Sequence, residues 1–139
     1  GIQVMKPNIA PILFAVIALV VTQLACSASA STASITNAWM DSTEDGNNPT
    51  TVFSQDAIFY AIVDLKNAPD DTKLKAVWTA VDAQETEKNL MLTETEITTG
   101  GGPVHFQLEN QDYLWPVGQY KVDIYLNDTL DKTLTFEVQ

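Results

Sequence analysis

The sequence predicts an all-β domain, an antiparallel β-sandwich of about seven strands, preceded by an apolar amino-terminal segment. Three observations carry this. Apolar residues recur with period two in several segments, as they must where successive side chains point to opposite faces of a sheet. Clusters of Gly, Pro, Asn and Asp break the chain at roughly ten-residue intervals. After residue 26, no window of helical length keeps a 3.6-residue period.

Taken in order, Ile35–Met40 is a short β-prone run and Asp41–Pro49 (DSTEDGNNP) is a loop by composition. Thr51–Phe53 is a brief β-prone patch. Ile58–Leu65 (IFYAIVDL) is almost continuously apolar, which places it centrally or buries both its faces. The turn cluster Asn67–Asp71 separates it from Lys73–Asp82, where Leu74, Ala76, Trp78 and Ala80 share one face. Ala83–Asn89 is charged and reads as a loop or one helical turn. Leu90–Thr98 is rich in Thr and Glu and reads as an edge strand, whose carboxylates discourage aggregation.

Gly100–Pro103 breaks the chain again. Val104, Phe106 and Leu108 then alternate with a solvent-facing His105, Gln107 and Glu109. Tyr120, Val122, Ile124 and Leu126 alternate with Lys121, Asp123, Tyr125 and Asn127. Asn127-Asp128 predicts a tight hairpin, after which Leu134, Phe136 and Val138 line the inner face of the last strand.

The run Trp115-Pro116-Val117-Gly118-Gln119-Tyr120-Lys121-Val122, with Leu126-Asn127 and Phe136-Glu137-Val138, resembles the closing hairpin of bacterial immunoglobulin-like or fibronectin-III-like domains. The resemblance implies an immunoglobulin-like sandwich with Tyr120 as a tyrosine corner, its hydroxyl bonded to backbone a few residues upstream. It also implies that Trp78 is the core aromatic of the third strand.

Pro7–Ala25 and Cys26 supply the address. Met5-Lys6 reads as a translation start, followed by one positive charge, the apolar run Ile9–Val21, and small residues before the only cysteine. That three-part order is the form of a secretory signal. The run is about 13 residues, short of the roughly 20 of a spanning helix. Leu24-Ala25-Cys26 resembles a bacterial lipobox, which implies a lipid on Cys26, export, and anchorage at the bacterial cell surface or in the periplasm. Cleavage near Ala28-Ser29-Ala30 and a retained membrane span are the alternatives. The expected organisation is a signal peptide over 1–26, a Ser/Ala tether over 27–34 and the sandwich over 35–139.

Lys6 alone of the seven lysines precedes Cys26, so 18 carboxylates in the remainder face six lysines and no arginine. A phosphate-binding surface needs clustered cations to displace counterions, so nucleic acid is not an expected partner. The carboxylates instead keep the domain soluble by self-repulsion.

Asp41-x-Thr43-x-Asp45-Gly46 mimics the first half of an EF-hand loop, but Val52 stands at its twelfth position, where a bidentate Glu is required. A looser calcium site using Asp41, Glu44 and Asp45 is the remaining metal candidate, but the expected reading is an exposed acidic loop with Asn-Pro turn chemistry, with no metal and no cofactor. One His and one Cys, far apart in sequence, make neither a zinc site nor a nucleophile–base pair, so no enzyme is expected. Trp39, Tyr113, Trp115 and Tyr125 form a candidate platform for a protein or glycan partner, unless Trp39 and Trp115 cap the core. Asn48-Pro49-Thr50-Thr51, Gly100-Gly101-Gly102 and Trp115-Pro116 resemble, in order, the three loop motifs of chagasin-like cysteine-protease inhibitors. The expected function is an exported, lipid-anchored binding or scaffolding domain, with a protease-inhibitor module or a calcium-dependent adhesion domain as alternatives.

Overall fold

The computed structural model describes residues 32–139. The signal segment, Cys26 and residues 27–31 of the tether lie outside the described residues. The described chain forms eight strands: β1 (Ser34–Asp41), β2 (Val52–Phe53), β3 (Phe59–Lys66), β4 (Thr72–Ala83), β5 (Leu90–Thr99), β6 (Gly102–Leu108), β7 (Gly118–Leu126) and β8 (Thr129–Val138). They make a three-stranded sheet in the order β1-β3-β6 and a five-stranded sheet in the order β2-β8-β7-β4-β5. All pairings are antiparallel except that of β2 with β8.

Strand β3 is central in its sheet, and its continuous apolar character has a second cause. Phe59, Ala61, Val63 and Leu65 face the core, while Ile62 faces outward yet is buried. The loop after β1 folds over it. Gly46, at φ 77°, lies against Trp39 and Ile62, and a Cβ there would come within 3.1 Å of the Trp39 ring. Strand β5 is an edge, pairing only with β4, and stays largely exposed.

Three local outcomes sharpen the sequence reading. Ser34, assigned by composition to the tether, already pairs with Lys66 in the ladder of β1 and β3. Ala83–Asn89 forms no helical turn, because Glu85 and Asn89 both take positive φ, 55° and 56°, which a right-handed turn does not accommodate. Asn127 and Asp128, at φ 47° and 69°, form the two-residue connection between β7 and β8. Paired positive φ values are those of a type I′ turn, whose twist matches the strands it joins.

The two sheets enclose one aromatic core. Phe59 sits at its centre with no exposed surface, within 4.7 Å (centroid to centroid) of both Trp115 and Phe136 and 5.1 Å of Phe53. Trp78 and Tyr120 complete the ring cluster around it. Val122, Ile124 and Leu74 extend the same apolar layer.

Where β7 begins, a register shift between Ala80 and Asp82 brings the β4 backbone against Gly118. A Cβ on Gly118 would lie 2.5 Å from the Cα of Ala83 and overlap the carbonyl oxygen of Asp82. Gly118→Ala is therefore expected to cost about 3 kcal/mol, the upper range of overpacking. Urea unfolding checks it: an unchanged midpoint would mean that the backbones of β4 and β7 separate easily at this point.

Candidate functional site

Asp41 ends β1 on the outer face of the small sheet, beneath its own loop, and is fully buried. The amide of Thr43 donates to its Oδ2 at 2.8 Å and the amide of Asn48 to its Oδ1 at 3.1 Å. The Trp39 indole Nε1, two residues back on the same face, donates to Oδ1 at 3.3 Å. The Thr43 hydroxyl lies 2.7 Å from Asp41 Oδ2 and 2.6 Å from Asp45 Oδ1. It carries one proton, so it donates to one of the two at a time.

Burial opposes ionisation of Asp41, but the hydrogen bonds from Thr43, Asn48 and Trp39 outweigh it and hold the carboxyl below its ordinary value. Asp45 is lowered as well, by the Thr43 hydroxyl and then the Asn47 amide. The loop donors thus engage both oxygens of Asp41, while Glu44 and Asp45 are exposed. Any cation at these residues would have to compete with those donors for Asp41. Among the described residues, no three His, Cys, Asp or Glu side chains are grouped so as to hold a metal ion.

Tyr120 is buried on β7, and its hydroxyl donates to the carbonyl of Pro116, four residues upstream, at 2.6 Å. That bond ties the chain entering β7 to the strand itself. Burial pushes the phenol up to about 12. The neutral form is thus favoured by folding. The contribution is full below the unfolded value near 10 and is lost as pH rises towards about 12. Tyr120→Phe keeps the ring and strands the Pro116 carbonyl, with an expected loss of about 1–2 kcal/mol. Equal unfolding midpoints for the two proteins at neutral pH would rule out a stabilising bond.

Trp78 lies in the middle of the core, facing Phe59 and Phe136, and its buried Nε1 has no hydrogen-bond partner among the described residues. Trp115, 7% exposed, stacks on Phe59, and its Nε1 donates to the Ala57 carbonyl at 2.9 Å.

The four aromatics of the candidate platform do not share a surface. Trp115 is core. Trp39 is half-buried on the outer face of the small sheet, while Tyr125 lies on the large sheet under the Lys75 ammonium, 4.8 Å from its ring centre. Tyr113, 78% exposed, stands in the connection between β6 and β7. Strand direction separates them.

The same geometry parts the three inhibitor-like motifs. Gly102 pairs with Leu65 at one end of β3, whereas Leu108 pairs with Phe59 at the other. The Gly100 position lies against Asp70, while the Trp115 amide donates to Gln55 and Pro49 bridges to Asp41, beside the start of β3. An eight-residue strand separates the glycines from the other two motifs by roughly 20 Å. They do not form one wedge.

A feature absent from the sequence reading is an open groove of about 530 Å³ between β1 and β8. Ala38, Trp39 and Met40 form one wall and Thr133, Leu134 and Thr135 the other, with Pro49–Thr51 closing one end. It arises because the chain changes sheets here: the Thr50 amide donates to Met40 O, and the next carbonyl, Thr51 O, accepts from Glu137 N. The only sequence trace of this crossover is the brevity of the β-prone patch Thr51–Phe53.

No protein-family model matches the chain, and no curated protein sequence matches it. Among solved structures it is similar to an immunoglobulin-like protein of Pseudomonas aeruginosa, with a TM-score of 0.57 and 15% identity over 80% of this chain and 99% of that one. It is also similar to a β-glucosidase of Listeria innocua, a D270A mutant in complex with laminaribiose. The TM-score is 0.50 and the identity 13%, over 79% of this chain but only 16% of the glucosidase. At these identities the likeness shows the fold alone. The described chain is an all-β, two-sheet immunoglobulin-like sandwich.

Proposed function

We propose that the chain is an exported, lipid-anchored domain of the bacterial cell envelope that works by binding or scaffolding, without catalysis. The observation that carries the non-catalytic part is how its buried polar side chains are engaged. Asp41 holds its loop, the Thr72 hydroxyl donates to the Pro69 carbonyl at 2.7 Å, and Asp123 accepts the Thr133 hydroxyl at 2.6 Å beside the Lys121 ammonium at 3.2 Å. These groups maintain the fold: each is bonded to its own loop or to a neighbouring strand, and none is paired with a His, Cys or second carboxylate as a nucleophile would be with its base. The anchor rests on the apolar run ending in Leu24-Ala25-Cys26. A thioether-linked lipid there supplies the address, and the sandwich supplies contacts.

Mass spectrometry of the native amino terminus tests the anchor. A diacylglyceryl group on Cys26 is the expected result. A free terminus near Ser31 would replace the anchored reading with a released one.

A further inference from the structure

The geometry points to the free edge of β8 at Thr133–Thr135 as a strand-accepting site, and we propose that it takes an extended basic peptide segment of a partner protein as an added strand. This rests on the binding reading above and gives it a location. Backbone parity places the site. Glu137 N donates to Thr51 O at 2.8 Å and Gln139 N to Phe53 O at 3.0 Å, so the odd-numbered residues at the end of β8 direct their amides away from β7. The pairing with β7 is regular from Val138 back to Lys132, with its only shift between Ile124 and Tyr125. In a regular antiparallel ladder this direction alternates residue by residue, so Thr135 and Thr133 also turn their N–H and C=O groups outward. Strand β2 covers only Glu137 and Val138, and the next two outward positions open onto the groove.

The edges around this window are closed. Across the groove, the Ala38 amide is capped by the Asn37 side chain at 3.0 Å, and the Met40 carbonyl accepts from Thr50 N. Below it, Lys132 pairs with the inward-facing Ile124, so a charged side chain points to the inner side of an edge strand, followed by the register shift. Inward charges and irregularities of this kind prevent edge pairing. Of the described edges around this groove, only Thr133–Thr135 has neither device.

The occupant follows from charge and area. The domain carries 18 carboxylates against six lysines after Cys26. The two lysines beside the window are each taken up by a carboxylate, Lys132 by Asp131 at 3.4 Å and Lys121 by Asp123 at 3.2 Å, which leaves Glu137 as the unneutralised charge next to it among the described residues. Such a surface attracts a basic segment and repels a second copy of this chain. Pairing through two outward residues is also far smaller than the contact a stable dimer needs. An extended peptide suits it: main-chain bonds to Thr133 and Thr135 provide affinity, and alternate apolar side chains settle in the groove against Ala38 and Leu134.

The test is an NMR titration of the isotope-labelled 139-residue chain with an acetylated, amidated heptapeptide alternating lysine and valine. A glutamate–valine peptide is the comparison. The amides of Thr133 and Thr135 are expected to shift and to gain protection from hydrogen exchange with the lysine peptide alone. Thr135→Pro removes one outward amide without touching the β7 ladder and should weaken binding about tenfold, whereas Thr135→Val should bind as the parent does. Methylating alternate peptide nitrogens should have the same weakening effect and needs no altered protein. Shifts scattered over the acidic surface, or equal binding by the methylated peptide, would overturn the proposal. So would protection of these amides that grows with protein concentration in the absence of peptide. A free amino terminus would leave strand addition intact, and failure of strand addition would leave the lipid on Cys26 intact, so the two readings fail separately.

Discussion

Phe59→Ala is expected to lower stability by about 3–5 kcal/mol, the range for emptying a buried aromatic site. That is comparable with the whole margin of many domains this size. Phe59 has no exposed surface, and its ring contacts Phe53, Trp78, Trp115, Tyr120 and Phe136. Those partners come from β2, β4, β7, β8 and the connection preceding β7, so one truncation opens a gap that no single strand can close. Thermal unfolding followed by tryptophan fluorescence reads it directly, because Trp78 and Trp115 both border the site. A variant melting within a degree or two of the parent would mean that the surrounding rings collapse into the space.

Asp41→Ala is expected to cost about 3 kcal/mol by leaving several part-buried loop donors without their shared acceptor. The amides of Thr43 and Asn48 both lose their partner, and the loop that covers Ile62 and Trp39 is released with them. The pH dependence has a definite sign. The folded carboxyl is held below its ordinary value of 3.8, so folding favours the ionised form. The stabilisation is full above that value and is lost as pH falls through the lower folded value. The parent should therefore lose stability relative to Asp41→Ala on acidification, and unfolding curves of the two should converge at low pH. A constant gap down to pH about 2 would mean that Asp41 acts through packing and not through its charge.

Much of the sandwich is legible in the sequence because period-two patterning answers directly to burial. Tyr120, Val122 and Ile124 on β7 face inward with Phe136 and Val138 on β8, as their alternation indicates. Asn127-Asp128 specified its own turn, since those residue types tolerate the positive φ that a two-residue hairpin demands. The role of Tyr120 was implied by the resemblance of Trp115–Val122 to an immunoglobulin-like closing hairpin, and its hydroxyl donates to the Pro116 carbonyl four residues back.

The loop of Asp41 reads as exposed and acidic in the sequence, whereas Asp41 itself is buried, for a physical reason. A loop dense in Asp, Asn and Thr has the same composition whether its oxygens wait for a cation or accept the loop's own amides. The choice depends on whether the carboxylate lies over solvent or under the backbone, and Asp41 lies under it. The burial of Ile62 and Trp115 is among the sequence expectations, but the segments that cover them are distant in sequence. Ile62 is covered by the loop carrying Gly46, and Trp115 is tied to Gln55 and Ala57.

Period, turn chemistry and charge are properties of neighbouring residues, and they suffice for strands, hairpins, an acidic surface and the apolar run ending at Cys26. Which strand edge stays open is settled by residues that meet only after folding. Strand β2 is two residues long because the chain leaves one sheet at Thr50 and joins the other at Thr51, and that crossover leaves Thr133 and Thr135 beside a groove. Backbone hydrogen bonding between distant strands decides it, and no local pattern in β8 records where its neighbour ends.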